Sequence, residues 1–308
     1  MKAFLGAGIL VLMAAAACSG GDSAVSADAG MSDDAGVPLK EEYIGTDGGT
    51  VTLLRFVQFG DIQPKDLDDD GRYPSITVQS IFTQAAGKKP NFMTGVGDYI
   101  FADSYDHAVA QMDMLLEAEK PYPHTIIHPM GNHECTGYTN SNCPNGNETG
   151  QVKAYFEKLL TFSSTCYFKV DIKTSLGDAK VVYVCANGWN STQETWLRGV
   201  MAQQTKYTFV VRHEPPSVTE APGVSPSEPI LKAYKNTLYM YGHIHEYQHL
   251  STNEVISGNG GATLAGDFFG YLFVEQLPDG NVKVTEYKQG SDEAMDSFTL
   301  TPDGQRAD

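Results

Sequence analysis

The sequence predicts an α/β fold carrying two sheets, one of them mixed, and three observations lead there. From about residue 46, β-type apolar segments take turns with amphipathic helical ones as far as residue 212. After residue 237 the helical pattern stops, and short strands follow one another between turn signals such as Pro278-Asp279-Gly280. The 308 residues, 41% of them apolar, suffice for a substantial core. Alternation followed by a strand-rich meander suits helices packed on two sheets.

The elements follow in order. Residues 1–17, "MKAFLGAGILVLMAAAA", join one Lys to an apolar run and small residues, the shape of a bacterial export signal. "AAAC" resembles a lipobox with Ala15 where Leu is more usual, so cleavage before Cys18 and acylation of its sulfur are expected. An ordinary secretory signal is the plainer alternative. Residues 18–45 are rich in Ser, Ala, Gly and Asp and form a tether, since they cannot offset their ordering entropy by burial. A single domain over 46–308 follows. Its expected elements are strand 51–59, helix 75–87, strand 91–96, helix 104–120, strand 124–129 and helix 151–160, then a hairpin over 166–185. Helix 192–204 and strands 207–212 and 237–241 come next, and shorter strands lie near 247–258, 270–276 and 281–287. No membrane span is expected after residue 18, so the chain is read as an envelope protein, periplasmic or surface-exposed, held to a membrane only through Cys18.

A formal charge of −17 excludes the clustered Lys and Arg that a nucleic-acid backbone requires. Export favours disulfides. Cys135 and Cys143 bracket a loop, and Cys166 and Cys185 fall nearly opposite each other in the expected hairpin, so pairs 135–143 and 166–185 are expected. Cysteine ligation of zinc is the competing idea, and no C-x-x-C pair supports it.

The residues after each expected strand carry the chemistry: "FGDIQ" (Asp61, Gln63), "GVGDYIFAD" (Asp98), "MGNHE" (Asn132, His133), "VVRHEPP" (His213) and "YGHIHEYQH" (His243, His245). In α/β sheets ligands gather at the carboxyl ends of strands, so these side chains should converge. Hard oxygen donors mixed with imidazoles suit Zn, Mn or Fe, and there are too many for one tetrahedral ion. Two adjacent cations sharing a carboxylate could activate a water and clamp the oxygens of a phosphoryl group.

In this order "GD", "GDYIFAD", "GNHE", "H" and "GHIHEY" resemble the calcineurin-like metallophosphoesterase superfamily, most closely its purple acid phosphatase branch, over roughly residues 51–290. The resemblance implies a four-layer α-β-β-α sandwich with a dinuclear centre of Fe, Zn or Mn at one edge of the sheets. By position, Asp98 would bridge the metals, Asn132, His213 and His243 would complete one site, and Asp61 and His245 would belong to the other. His133 would orient substrate and protonate the leaving oxygen, with Glu134 near enough to tune it; His249 falls near a substrate-facing position. The implied activity is hydrolysis of phosphate esters, monoesters foremost, by a metal-bound hydroxide. A binding lipoprotein with reduced catalysis on the same fold is the alternative.

Two positions depart from the family pattern. Gln63 stands where most of the superfamily has His, and Phe101 where the purple branch has Tyr. An amide oxygen is a weaker donor than imidazole or phenolate, so looser binding at the Asp61 site is implied, and no purple colour. The acidic run "DLDDDG" (Asp66 to Gly71) lacks a closing Glu at Thr77 and reads as a solvated loop rather than a calcium loop. "SGNGGA" (Ser257 to Ala262) reads as a turn beside the site, and His107 and His124 as surface or packing residues.

Overall fold

The computed structural model describes residues 41–71, 76–136 and 150–307; residues 1–17, Cys18, most of the tether and Cys143 lie outside them. In chain order the first half carries β1 (Gly48–Thr50), β2 (Arg55–Gln58), α1 (Ile76–Gly87), β3 (Phe92–Thr94), α2 (Tyr105–Ala118), β4 (Ile126–Ile127), α3 (Asn132–Thr136) and α4 (Gly150–Lys158). The second half carries β5 (Phe168–Lys173), β6 (Ala179–Val184), α5 (Ser191–Ala202), β7 (Tyr207–Arg212), α6 (Val224–Lys232), β8 (Leu238–Tyr241), β9 (Tyr247–Ser251), β10 (Glu254–Ser257), β11 (Gly270–Gln276), β12 (Val282–Lys288) and β13 (Ala294–Leu300).

Two mixed sheets result, ordered β1-β5-β6-β7-β8-β10-β9 and β13-β12-β11-β2-β3-β4 among the described residues. Strands β6, β7 and β8 run parallel and are buried along their whole length, which is why they read as predominantly apolar runs rather than alternating ones. The core lies between the sheets: Phe56 of β2 meets Phe209 of β7 edge to face at 5.2 Å. On one outer face, Leu197 and Val200 of α5 and Ile230 of α6 join Val182, Val210 and Tyr239 in a separate buried cluster. On the other, α1 buries Val78, Ile81 and Phe82 into the main core, with Phe82 edge-on to Phe59 at 4.9 Å. The four layers implied by the resemblance are therefore present.

The hairpin over 166–185 forms as expected. Its antiparallel register pairs Phe168 with Tyr183, and Cys166 and Cys185, two positions further out on each strand, are joined by a disulfide with Cα atoms 5.6 Å apart. Cys135 is also disulfide-bonded. Its expected partner, Cys143, lies outside the described residues.

The expected strand 51–59 divides. Thr50 still pairs with Lys173 in the first sheet, whereas Arg55 pairs with Glu275 in the second, so the chain crosses between sheets at Val51–Leu54. Helix α6 is absent from the expected elements and forms although Pro226 and Pro229 disfavour helix. Pro226 sits in the first turn, where its missing N–H costs nothing, and tertiary bonds hold the rest: Arg212 donates from Nη1 to Ser227 Oγ (2.9 Å) and Glu228 Oε2 (2.8 Å).

Candidate metal centre

Asp61 follows β2, Asp98 follows β3, and Asn132 and His133 open α3 just after β4, all at carboxyl ends of parallel strands in one sheet. His213 directly follows β7, and His243 and His245 follow β8, at the carboxyl ends of parallel strands in the other. Turning the chain so sharply has a conformational cost. Asp61 (φ 52°), Asp98 (φ 59°) and His243 (φ 68°) all adopt left-handed backbone, on the order of 1 kcal/mol unfavourable for each. The surrounding bonds impose it: Asp61 N–H donates to Gly97 O (3.2 Å), Ile62 N–H to Asp98 O (2.9 Å), and His243 N–H to Asp61 Oδ1 (2.9 Å). Glycine at 131 and 242 is obligatory, because a Cβ there would collide with the carboxylates of Asp98 and Asp61 respectively.

Two donor groups share Asp98. Asp98, His213 and His243 form one and Asp61, Asp98 and His245 the other, each with ligand atoms within 4.8 Å of one another. His213 Nε2 lies 3.2 Å from Asp98 Oδ2 and 3.1 Å from Asn132 Oδ1, and His243 Nδ1 lies 3.0 Å from the same Asn132 oxygen. The opposite ring nitrogens are anchored on backbone: His213 Nδ1 on Val96 O (3.0 Å) and His245 Nδ1 on Thr263 O (2.8 Å). With each Nδ1–H donated outward, both Nε2 lone pairs face inward. Lone pairs from imidazole, amide and carboxylate thus converge, an arrangement that needs a cation or a proton between them. The residues fit a metal of the Zn, Mn or Fe type.

Gln63 completes this picture. Its amide nitrogen lies 3.2 Å from His245 Nε2, while its buried Oε1 has no hydrogen-bond partner. A half-turn of the amide would set that oxygen beside His245 Nε2 as a further donor.

The electrostatics agree with a site built for positive charge. Burial, and next the charge of His213, lowers the His243 imidazole to about 4; burial also lowers His245, so both present lone pairs at neutral pH. Burial pushes Asp61 well up. Burial opposes ionisation of Asp98 as well, but His213 and His133 outweigh it and hold its carboxyl well below the usual range. His213 shows the reverse balance: burial disfavours its proton, yet Asp98 retains it, so a proton and a cation compete for one lone pair.

The remaining expected residues fall in distinct places. His133 donates its backbone N–H to Asp98 Oδ1 (2.9 Å), and its Nε2 lies 3.9 Å from Asp98 Oδ2, beside the donor groups. Glu134, fully buried, turns to the backbone: it accepts from the N–H groups of Asp98 (2.9 Å), Tyr99 (2.7 Å) and Gly131 (2.8 Å), stitching two loops together. His249 lies along β9, paired with Asp296 at 2.8 Å and stacked on Phe298, and is not among the converging residues. The "SGNGGA" turn abuts the site through Gly260 N–H, which donates to Gly60 O (2.9 Å). The acidic run is tied to α2 by Asp70 and His107 Nδ1 (2.6 Å), and Asp68, Asp103 and His107 bring donor atoms within 4.8 Å of one another.

Sequence reasoning missed the supports. The carbonyls of Val96 and Thr263 leave no trace in residue type. Gln111 does leave one: a polar residue on the buried stripe of α2 between Ala108 and Met112. Its amide brackets Phe101, with Phe101 N–H donating to Oε1 (2.8 Å) and Nε2 donating to Phe101 O (3.0 Å).

Comparison with known proteins agrees with this geometry. In fold the chain is similar to a purple acid phosphatase from yellow lupin (Lupinus luteus) seeds, with TM-score 0.63 and 16% identity over 86% of this chain and 55% of that one. It thus spans little more than half the length of that enzyme. Weaker likenesses are to a 5'-nucleotidase from Candida albicans (TM-score 0.44, 10% identity, 72% of this chain and 48% of that one) and a phosphatase from Mycoplasma pneumoniae (TM-score 0.36, 10% identity, 80% and 92%). No curated protein matches significantly in sequence. The sequence model of calcineurin-like phosphoesterases matches residues 54–247, a span that opens just before β2 and closes just after His245. That span contains every converging side chain described above, and the chain belongs to the calcineurin-like phosphoesterase family.

Proposed function

We propose that this chain is a metal-dependent phosphoesterase, acting foremost on phosphomonoesters, and that it works as an exported lipoprotein anchored at Cys18. One observation carries the catalytic reading: two groups of inward-facing donors share the single carboxylate of Asp98. Asp98 would join two cations, with Asn132, His213 and His243 on one side and Asp61, His245 and the Gln63 amide oxygen on the other. Bound there, such cations supply Lewis-acid polarisation of phosphoryl oxygens and activation of water. The chain's own residues do the rest. Asn132 and the anchored imidazoles fix the donor geometry, and Glu134 holds the loops that bear Asp98 and Asn132. His133, beside Asp98, delivers a proton to the leaving oxygen.

The test is turnover of a chromogenic phosphomonoester by purified protein supplied with Mn, Zn or Fe. Activity that depends on metal and falls roughly a hundredfold or more in His133→Ala supports the reading; no turnover with any metal overturns it.

A second reading has its own support. The neutral amide of Gln63 and the ring of Phe101 stand where stronger ligands would, which favours a metal- or ligand-binding lipoprotein with reduced catalysis. Metal analysis separates the two: two tightly held ions per chain with robust turnover exclude it.

A further inference from the structure

The geometry points to Phe101, held by Gln111, as the residue that positions the imidazole of His133; the inference rests on His133 being the proton donor proposed above. The Phe101 ring meets the His133 ring edge to face, with centroids 5.5 Å apart and planes at 67°. That contact would mean little if Phe101 sat on a loose loop, but its backbone is fixed from three directions. Gln111, with no exposed surface, both accepts its N–H and donates to its carbonyl. Asp68 N–H donates to the same carbonyl (2.9 Å). Gln151 of α4 donates to the carbonyl of the next residue, Ala102 (3.3 Å).

A buried amide that satisfies both backbone groups of one residue acts like a neighbouring strand, and it sets the Cα of Phe101 relative to α2. The ring then has two torsions left, and the imidazole forms one wall of its place. In turn, the phenyl group blocks rotation of His133 without offering it an acceptor. His133 is tied to Asp98 at its backbone and its Nε2 lies 3.9 Å from Asp98 Oδ2, and the ring contact adds a restraint from the Phe101 side chain. A proton donor held this way keeps its reach to the leaving oxygen.

The test compares Phe101→Ala, Phe101→Leu and Gln111→Leu with the wild type on two phosphomonoesters, one with a 4-nitrophenolate leaving group and one with a simple alkoxide. Only the alkoxide needs full protonation as it departs. The expected result is a fall in kcat of roughly tenfold or more on the alkyl ester and less than about threefold on the nitrophenyl ester, with KM little changed. Phe101→Leu, which keeps volume but not the ring, should behave like Phe101→Ala. In metal-free protein, NMR of the His133 ring protons should show a ring-current shift that disappears in Phe101→Leu and weakens in Gln111→Leu. Equal losses on both esters, unchanged kcat, or unmoved His133 resonances would each overturn the inference while leaving the phosphoesterase reading intact. A wild type that turns over neither ester removes both.

Discussion

His213 Nε2 stands 3.2 Å from Asp98 Oδ2, deep inside the protein, with the far side of the ring donated to Val96. This pairing makes Asp98 both the counter-charge of a buried imidazole and the member common to the two donor groups. Asp98→Asn is therefore expected to weaken metal binding on both sides. Metal analysis should fall from about two ions per chain to one or none, and turnover should drop by more than about a hundredfold. Retention of both ions in the variant would mean that the sharing of Asp98 has no functional meaning.

Gln63 is the weakest donor in the set, and its Oε1 lacks a partner. Gln63→His puts an imidazole at a buried position next to His245, and titration calorimetry with Mn or Zn should show the looser of two binding steps tightening by roughly tenfold or more. An unchanged isotherm would show that the side chain at 63 does not reach the ion.

The disulfide between Cys166 and Cys185 closes a sequence separation of 19 residues at the open end of a hairpin. Replacing both by Ser should lower the urea-unfolding free energy by about 3 kcal/mol, with the fold retained. A loss below about 1 kcal/mol would show that hairpin pairing alone holds this edge.

Burial pushes the Glu286 carboxyl up from 4.5 to about 8, although Asn259 Nδ2 (2.8 Å) and Ser257 Oγ (3.2 Å) both donate to it. The folded chain thus keeps a proton that the unfolded chain releases. Its stabilising contribution is complete below about pH 4.5 and is lost as pH rises to about 8, with a slope approaching 1.4 kcal/mol per unit. Glu286→Gln should remove that slope, so that unfolding curves at pH 5, 7 and 9 show the variant gaining on the wild type as pH rises. A constant difference between the two would place the titration elsewhere.

The site was legible in sequence because each converging residue sits just past a strand, next to a glycine or in a short polar run that interrupts an apolar one. The sheets were legible for the same reason, since β6 and β7 are rich in β-branched and aromatic residues and β8 is wholly apolar and aromatic. What escaped was anything decided by tertiary bonds. Helix α6 survives its prolines through Arg212, at the end of the preceding strand β7, which reaches its first turns across an intervening loop. Strand β13 lacks clean alternation, because Asp296 leaves the pattern to meet Tyr247 and His249 across the sandwich. Glu134 looked like a neighbour of His133 by adjacency, yet a turn of helix aims its carboxylate at backbone N–H groups instead.

The converging side chains are contributed by both sheets, Asp61, Asp98 and Asn132 from one and His213, His243 and His245 from the other. An ion seated among them is a clasp across the rim of the sandwich, so its grip is also resistance to the layers parting. At a thousand times its dissociation constant it would add about 4 kcal/mol, and a chelator should lower the melting temperature of the whole domain as well as silence it. Where metals come and go, scarcity would then be felt first as fragility.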